Sequence, residues 1–251
     1  MDDLEFALFL ADRADEITLS HFARTEDLSV QTKPDRSLVT KADTATEQAL
    51  RTAIREAHPT DAVLGEEHGS TPSTSHRRWI LDPIDHTNNY VRGLPVFATL
   101  IALEEDAEIT VGVVSAPAMG RRWWAARGQG AYADNERIAV SQIGDLSDAH
   151  VSIAALHRWN RRGLVPAITE IATTALFEWG SGGFWGQMLV AEGRLDVSLD
   201  PWGQIWDLAA SKVIVEEAGG RLTDLTGAPR IDQGCAVVTN GLVHDQVISF
   251  L

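Results

Sequence analysis

The chain has 251 residues, 44% of them hydrophobic and 23% charged, with a formal net charge of -15 and one cysteine, Cys235, in an apolar run. The acidity and the scattered basic residues argue against a nucleic-acid partner, and no apolar run approaches the roughly 20 residues that span a bilayer. Because the N-terminus is acidic, unlike a signal peptide, and no internal disulfide is possible, we expect a cytoplasmic protein with Cys235 buried in its core.

The first half of the chain predicts two helices followed by a series of strands. Apolar residues at helical spacing indicate an amphipathic helix over 4–22. A second helix is expected to begin near Thr40, with Asp43 as its capping-box partner, and to end before Pro59. The turns that follow are rich in Gly, Asn and Asp, which favours hairpins and an antiparallel sheet. The predicted strands are 62–64, 78–81, 96–103, 109–114, 122–125 and 137–140.

From about residue 149, strand-like stretches alternate with helix-like ones. Such alternation predicts α/β layers, so we place a boundary near residue 146, between an N-terminal half (1–146) and a C-terminal half (147–251). Gly219-Gly220 is typical of a helix C-cap followed by a strand. The predicted strands of this half are 151–154, 195–199 and 235–239, and the predicted helices are 164–175, 184–191, 207–218 and 242–251.

Acidic residues occur where strands or loops are expected to end, in the segments 65–67, 81–87 and 206–207. In the second segment an apolar strand leads to Asp82, Pro83 stops sheet pairing because it has no N–H, and Asp85 follows at the turn. Carboxylates this close repel each other, and burying them unpaired is costly. A divalent cation resolves the conflict, and the oxygen ligands favour Mg²⁺. The alternative, solvated aspartates or a helix cap, is less favoured because Glu66 and Asp207 offer two further carboxylates.

The two residues that follow Asp85, His86 and Thr87, are placed where a helix can begin. Backbone N–H groups of His86 and Thr87 are therefore candidates for binding phosphate oxygens, and the Thr87 hydroxyl for orienting an attacking water. Simple helix capping is the alternative for Thr87. For His86 a capping or surface role is favoured over a general acid, and helix capping alone explains Asp43.

The segments GEEHG, DPIDHT and WDLAASKVIVEEAGG, in this order, resemble the motifs of the inositol monophosphatase superfamily. The likeness covers most of the chain and is strongest to the actinobacterial-type histidinol-phosphatase branch, in the stretches 90–103, 111–132 and 239–245. It implies an α/β fold layered as αβαβα, with an antiparallel sheet and helices in the metal-binding N-terminal half. A smaller mixed sheet in the C-terminal half would complete the active site.

The same resemblance implies a homodimer that uses two or three Mg²⁺ ions per active site to hydrolyse a small phosphate monoester. Histidinol phosphate, of histidine biosynthesis, is the favoured substrate. The alternatives are a phosphatase for inositol-1-phosphate or another sugar phosphate, and a non-catalytic relative that binds phosphate or metal.

Residue roles also follow from the resemblance. It implies metal ligation by Glu66, Asp82, the Ile84 carbonyl, Asp85 and Asp207. Glu66 and Thr87 would position the attacking water, and Asp43 and Lys33 match outer residues near the third metal position. Residues implied to contact the substrate are Ile84, Asp85, His86, Thr87, Ser181, Gly182, Asp200 and Asp207.

Three features of the chain depart from the family pattern. The Gly of DPIDGT is His86 here, whose N–H can still donate to phosphate if its φ is negative. A Lys common in this branch is Asn88, and the Arg and Asp of an R-A-Y-G-D-F segment are Trp179 and Gly183. The catalytic class is expected to survive these changes, whereas the choice of substrate depends on them. Trp179 or Trp202 is a candidate wall of the substrate pocket, with core or interface packing as the alternative.

Overall fold

A computed structural model describes residues 1–22, 28–34, 37–73 and 75–251. The helices are α1 Asp3–Phe22, α2 Lys41–Ala57, α3 Thr87–Val91, α4 Leu156–Arg162, α5 Val165–Thr174, α6 Gly183–Ala191, α7 Ile205–Glu217 and α8 His244–Ile248. The strands of the first half are β1 Gln31–Thr32, β2 Leu38–Val39, β3 Ala62–Gly65, β4 Gly69–Ser70, β5 Arg77–Asp85, β6 Ala98–Glu105, β7 Glu108–Ala116, β8 Arg121–Ala126, β9 Ala131–Ala133 and β10 Glu136–Ile138. Those of the second half are β11 His150–Ile153, β12 Phe177–Trp179, β13 Val197–Asp200, β14 Arg221–Thr223 and β15 Ala236–Thr239.

The larger sheet has eight strands in the order β10-β9-β8-β7-β6-β5-β3-β4. Its pairs are antiparallel except β3 with β5, so the predicted antiparallel sheet is confirmed. Successive side chains of a strand point to opposite faces. Trp79 and Leu81 of β5 accordingly pack with Leu10 of α1 and Leu50 of α2. Ile80, between them, belongs to the core around α6 and α7 on the other face.

The smaller sheet has five strands in the order β12-β11-β13-β15-β14. It is mixed, because β11 pairs in parallel with β12 and β13, whereas β15 runs antiparallel to β13 and β14. Val238 of β15 packs toward α6 and α7, and Val237 packs with Trp159 of α4 and Val247 of α8. The layers therefore alternate as αβαβα, as expected. A boundary at residue 146 separates the two sheets, while the α6–α7 layer packs against both.

Capping explains where two helices near the sheet ends begin. Thr40 caps α2: its hydroxyl accepts from Ala42 N at 3.1 Å, and Asp43 accepts from Thr40 N at 2.8 Å. This confirms the predicted capping box. Helix α7 begins at Ile205, two residues before the predicted start, because Asp207 accepts from Gln204 N at 2.7 Å as a capping partner in the first turn. Asp207 is thereby fixed at the helix N-terminus.

The largest departure from the predicted secondary structure is in β5, which continues through Pro83 to Asp85 instead of ending at Leu81. The register with β6 shifts between Asp82 and Asp85, so Pro83 lies in an irregular stretch where no ladder N–H is required. The Pro83 carbonyl accepts instead from the Thr99 hydroxyl at 2.8 Å. The sequence did not reveal α4, β9 and β12, because they are too short for a clear periodicity.

Two expectations from composition can be compared with the structure. Cys235 is 3% exposed, so its predicted burial is confirmed. Among the described residues, no helix combines the length and apolar character needed to cross a bilayer.

His244, buried in α8, makes stability depend on pH. Its ring lies 3.1 Å from the Thr223 hydroxyl and 3.0 Å from the Thr239 hydroxyl. Burial, and secondarily the charge of Arg221, lowers its pKa from 6.5 to about 4. The neutral ring therefore stabilises the fold above pH 6.5, and this contribution is lost as the pH falls through 4. We expect it to amount to at most roughly 3 kcal/mol.

Urea unfolding of the native protein and of His244→Gln between pH 7 and pH 4 checks this prediction. The free energy of unfolding should fall more steeply for the native protein, because only its residue 244 takes up a proton on unfolding. Parallel curves would contradict it.

Candidate active site

Three carboxylates converge where the two halves of the chain meet. Asp82, Asp85 and Asp207 each offer one oxygen, and these oxygens all lie within 4.8 Å of one another. Asp82 and Asp85 come from the irregular end of β5, and Asp207 comes from the first turn of α7. The sequence-based expectation that these residues approach one another is met.

A cavity of about 230 Å³ opens beside this group, and its walls are mainly polar. A larger cavity of about 510 Å³, with Lys212 and Arg230 in its wall, shares no lining residue with it. We therefore place the chemistry in the smaller cavity, where the carboxylates are. Its lining residues are Ser37, Leu38, Glu66, Ile84, Asp85, His86, Thr87, Asn88, Arg158, Trp202, Gln204, Trp206 and Asp207.

The electrostatics of the acidic group favour a bound cation. Burial raises the pKa of Asp82 well above 3.8, and the charges of Glu66, Asp85 and Asp207 raise it further. Burial and the charge of Asp85 likewise raise the pKa of Asp207. Without a cation the cluster holds its negative charge poorly. Carboxylate oxygens in such an arrangement are the ligands that hard divalent ions take.

Glu66 lines the same cavity but stands beside the three aspartates, outside the group within 4.8 Å. Its Oε1 accepts from Lys33 Nζ at 2.7 Å, and Lys33 also donates to Glu67 Oε1 at 2.7 Å. Burial lowers the pKa of Lys33, but its hydrogen bonds to the two glutamates outweigh this and raise it. The sequence predicts that four carboxylates come together. In the structure three of them form a tight group, and the ammonium group of Lys33 holds Glu66 next to that group.

Thr87 connects the β5 end to α2. Its hydroxyl lies 3.0 Å from the carbonyl oxygen of Ile84 and 3.4 Å from Asp43 Oδ1. Asp43 is fully buried, and burial raises its pKa to about 6, although hydrogen bonds from Thr40 oppose the shift. Asp43 therefore caps α2, as the sequence indicates, and also reaches the site through Thr87.

Glu47, which the sequence analysis missed, fixes the loop that carries Glu66. Its Oε2 accepts from Glu67 N at 2.7 Å, and its Oε1 accepts from His68 N at 3.1 Å and from Arg51 Nε at 2.7 Å. Its side chain is fully buried. The available signal was a charged residue on the buried face of α2, three and seven residues before Leu50 and Ile54.

The backbone of His86 does not meet the condition under which its N–H was expected to be available to phosphate. That condition was a negative φ, and its φ is +67°, in the left-handed region. That N–H donates to Asp85 Oδ1 at 2.9 Å, so binding phosphate there requires this hydrogen bond to be released. His86, not Thr87, is the N-cap of α3, and its side chain makes no capping hydrogen bond.

Three residues implied to contact the substrate are not part of the cavity lining. Asp200 is 4% exposed, and its two oxygens accept from Gly183 N at 2.8 Å and from Gln187 Nε2 at 3.0 Å. Ser181 and Gly182 lie at the start of α6, outside the cavity lining. Their substrate contacts stay predictions. The start of α6 is nevertheless joined to the site, because Phe184 N donates to Asp85 Oδ2 at 3.2 Å.

Of the two tryptophans considered as pocket walls, Trp202 lines the cavity, and the Arg158 guanidinium lies over its ring at 4.3 Å. Trp179 is in β12, outside the lining, and is 41% exposed. Arg158 comes from α4, one of the elements that the sequence did not reveal, and no motif marks it.

The layered fold and the acidic group beside a polar cavity define a metal-dependent phosphatase. A model of the inositol monophosphatase family matches residues 2–249, and the chain belongs to this family. It is 48% identical over 255 residues to a histidinol-phosphatase of Mycobacterium tuberculosis, covering 100% of this chain and 98% of the relative. It is 44% identical over 260 residues to a histidinol-phosphatase of Streptomyces coelicolor, covering 100% and 97%. An inositol monophosphatase structure from Thermotoga maritima superposes with a TM-score of 0.88 at 30% identity, covering 100% of this chain and 96% of that one.

Proposed function

We propose that this protein is a Mg²⁺-dependent phosphatase whose substrate is histidinol phosphate. The observation that carries the phosphatase chemistry is the approach of Asp82, Asp85 and Asp207 to within 4.8 Å, because such oxygen groups hold the cations that bind a phosphate ester. The choice of histidinol phosphate is supported by the two relatives named histidinol-phosphatase, which match over the whole of this chain.

The residues present fit the implied metal ions. Asp82, Asp85 and Asp207, with Glu66 and the Ile84 carbonyl, would hold two or three Mg²⁺. Bound Mg²⁺ neutralises phosphate charge and lowers the pKa of a coordinated water. The pKa of Asp82, raised first by burial and then by the charges of Glu66, Asp85 and Asp207, fits this, since a cation would stabilise the buried carboxylate and offset its repulsion.

The chain's own groups orient the reactants. The Thr87 hydroxyl can donate to Ile84 O at 3.0 Å, which leaves its oxygen free to accept from a water. Glu66 is held by Lys33 at 2.7 Å and would accept the other proton of that water. The Thr87 amide, and the His86 amide once it leaves Asp85 Oδ1, would donate to phosphate oxygens.

Initial rates on histidinol phosphate and inositol-1-phosphate, with and without Mg²⁺, test the proposal. We expect phosphate release that requires Mg²⁺ and a kcat/KM at least about tenfold higher for histidinol phosphate, the preference that one well-placed contact provides. Equal low rates on both esters would contradict the substrate assignment. No Mg²⁺-dependent release from either would indicate the non-catalytic alternative.

Mg²⁺ should also stabilise the fold, since it relieves repulsion among the clustered carboxylates. At about 100 times the dissociation constant, a ligand of the native state adds roughly 2.7 kcal/mol, which corresponds to a rise in Tm of about 5–10 °C for a chain of this size. Differential scanning calorimetry with Mg²⁺, then with excess chelator, measures this. Asp82→Asn is the matched variant and should show a much smaller rise. Equal rises in both proteins would count against Asp82 as a ligand.

We further propose that the enzyme acts in the cytoplasm as a homodimer. Strand β12 is an edge of the smaller sheet, and Leu176 and Phe177 there are 64% and 55% exposed. Apolar side chains exposed together at a sheet edge suit burial against a second copy. Sedimentation equilibrium should show a dimer, and Phe177→Lys should shift it toward monomer. A native monomer at micromolar concentration would contradict this.

A further inference from the structure

His86 combines backbone strain with a side chain that has an unused donor. Its φ of +67° is one that non-glycine residues rarely adopt, and residues held in such conformations cluster at functional sites. The residue is half-buried in the wall of the active-site cavity.

The surroundings of the ring fix which nitrogen carries its proton. Nδ1 lies 3.3 Å from Asn89 Nδ2, and the same amide nitrogen donates to Val96 O at 2.8 Å. Because that contact identifies the amide nitrogen of Asn89, a donor only, Nδ1 of His86 is the acceptor and Nε2 carries the hydrogen. Within the described ranges, Nε2–H has no hydrogen-bond acceptor.

Gly183 provides the space that the ring occupies. A Cβ atom at position 183 would lie 2.4 Å from His86 Nε2, closer than any real contact. The ring also packs against Phe184, with centroids 5.4 Å apart. The imidazole of His86 can therefore occupy its position only because residue 183 has no side chain. Residues 86 and 183 are also two of the positions at which the sequence departs from the family pattern.

The ring lies next to a buried carboxylate, that of Asp200. Both oxygens of Asp200 accept hydrogen bonds from α6, at 2.8 Å from Gly183 N and 3.0 Å from Gln187 Nε2. His86 lies close enough to interact electrostatically with Asp200. His86 reaches the cavity lining, whereas Asp200 does not. Of these two side chains, His86 is thus the one that a ligand in the cavity can contact.

We propose that His86 is a specificity-determining residue: its ring occupies the space that Gly183 leaves open, and its Nε2–H donates a hydrogen bond to the leaving group of the substrate. The preferred substrates are phosphate monoesters whose alcohol carries an oxygen or nitrogen acceptor. This inference rests on the proposed phosphatase function. The competing explanation is that the ring only fills space against Phe184.

A pair of matched variants separates donation from packing. His86→Gln keeps an N–H donor at about the position of Nε2, whereas His86→Met fills similar space without a donor. The measured quantity is the ratio of kcat/KM for histidinol phosphate, whose neutral imidazole carries a nitrogen acceptor, to kcat/KM for propyl phosphate, whose alkyl chain carries none. We expect the ratio to fall about tenfold in His86→Met and to stay within about threefold of native in His86→Gln.

Equal ratios in the Gln and Met variants would overturn the inference and leave the phosphatase function standing. If the native protein released phosphate from neither ester with Mg²⁺ present, both proposals would be rejected. Loss of folding is recognised by the Tm of each variant, and His86→Gly, which suits a positive φ, provides a third variant without ring or donor.

The pairing with Gly183 is tested separately by a double-mutant cycle on Tm. Gly183→Ala is strained in any background because φ at 183 is +61°, but that strain cancels in the cycle. The added methyl should lower Tm more in the native background than in His86→Gly, where the ring is absent. Equal decreases would show that the ring does not occupy the space at position 183.

Discussion

Asp85→Asn is expected to lower kcat by roughly a thousandfold or more, the scale on which losing a central charge-stabilising group slows an enzyme. Asp85 belongs to the group of carboxylates within 4.8 Å, and its two oxygens also accept from His86 N at 2.9 Å and Phe184 N at 3.2 Å. Asparagine keeps one acceptor oxygen but places N–H donors toward the cation site. The variant should therefore lose both charge and ligand geometry at once.

Two readouts separate this effect from misfolding. Without Mg²⁺ the Tm of Asp85→Asn should stay close to the native value, because the relief of repulsion among the carboxylates offsets the loss of one accepted backbone hydrogen bond. The rise in Tm on adding Mg²⁺ should be largely lost together with turnover. Asp148→Asn changes an exposed aspartate in the same way and should keep both. Turnover by Asp85→Asn at the native rate would contradict its role as a ligand.

Much of the fold could be predicted because its long elements have clear periodicity. Helices α1 and α2 and strands β6 and β7 fall where apolar spacing and turn residues place them, and the capping box at Thr40 was legible in sequence. The continuation of β5 past Pro83 could not be predicted, because it depends on how the segment from Asp82 to Asp85 pairs irregularly with β6. Such pairing depends on the partner strand and leaves no local pattern.

Some residues of the site could likewise be predicted from the sequence, and others could not. The grouping of Asp82 with Asp85 could be predicted because two carboxylates in one turn repel each other unless they share a cation. Asp207, distant along the chain, was added because it stands at a predicted helix start within a family-like motif. The sequence left the backbone conformation of His86 open, and its positive φ accompanies contacts of the ring with the nearby Asn89 and with Phe184, which is distant along the chain. Arg158 was missed because no motif marks it, and Glu47 because a charged residue on the buried face of a helix does not by itself identify the groups that it binds.

Glu47→Ala is expected to have the largest effect on stability, although Glu47 lies outside the cavity lining. Its buried carboxylate accepts from Glu67 N, His68 N and Arg51 Nε, and the alanine would leave all three donors without it. Removing one partner of a buried ion pair costs roughly 3–5 kcal/mol. For a chain of this size that corresponds to a decrease in Tm of about 6–20 °C, measurable by calorimetry.

Activity should fall as well, because Glu47 holds the loop in which Glu66 faces the cavity. Residues that orient metal ligands typically contribute 10–100-fold to affinity or rate, so at a temperature where the variant is folded we expect a higher Mg²⁺ requirement and a kcat/KM lowered by about that factor. Glu56→Ala, on the exposed side of the same helix, is the matched control and should change stability by less than about 0.5 kcal/mol. A folded Glu47→Ala protein with the native Mg²⁺ dependence would show that the Glu66 loop holds its position without this carboxylate. The Lys33 ion pair, at 2.7 Å from Glu66, would then be the contact that orients the glutamate.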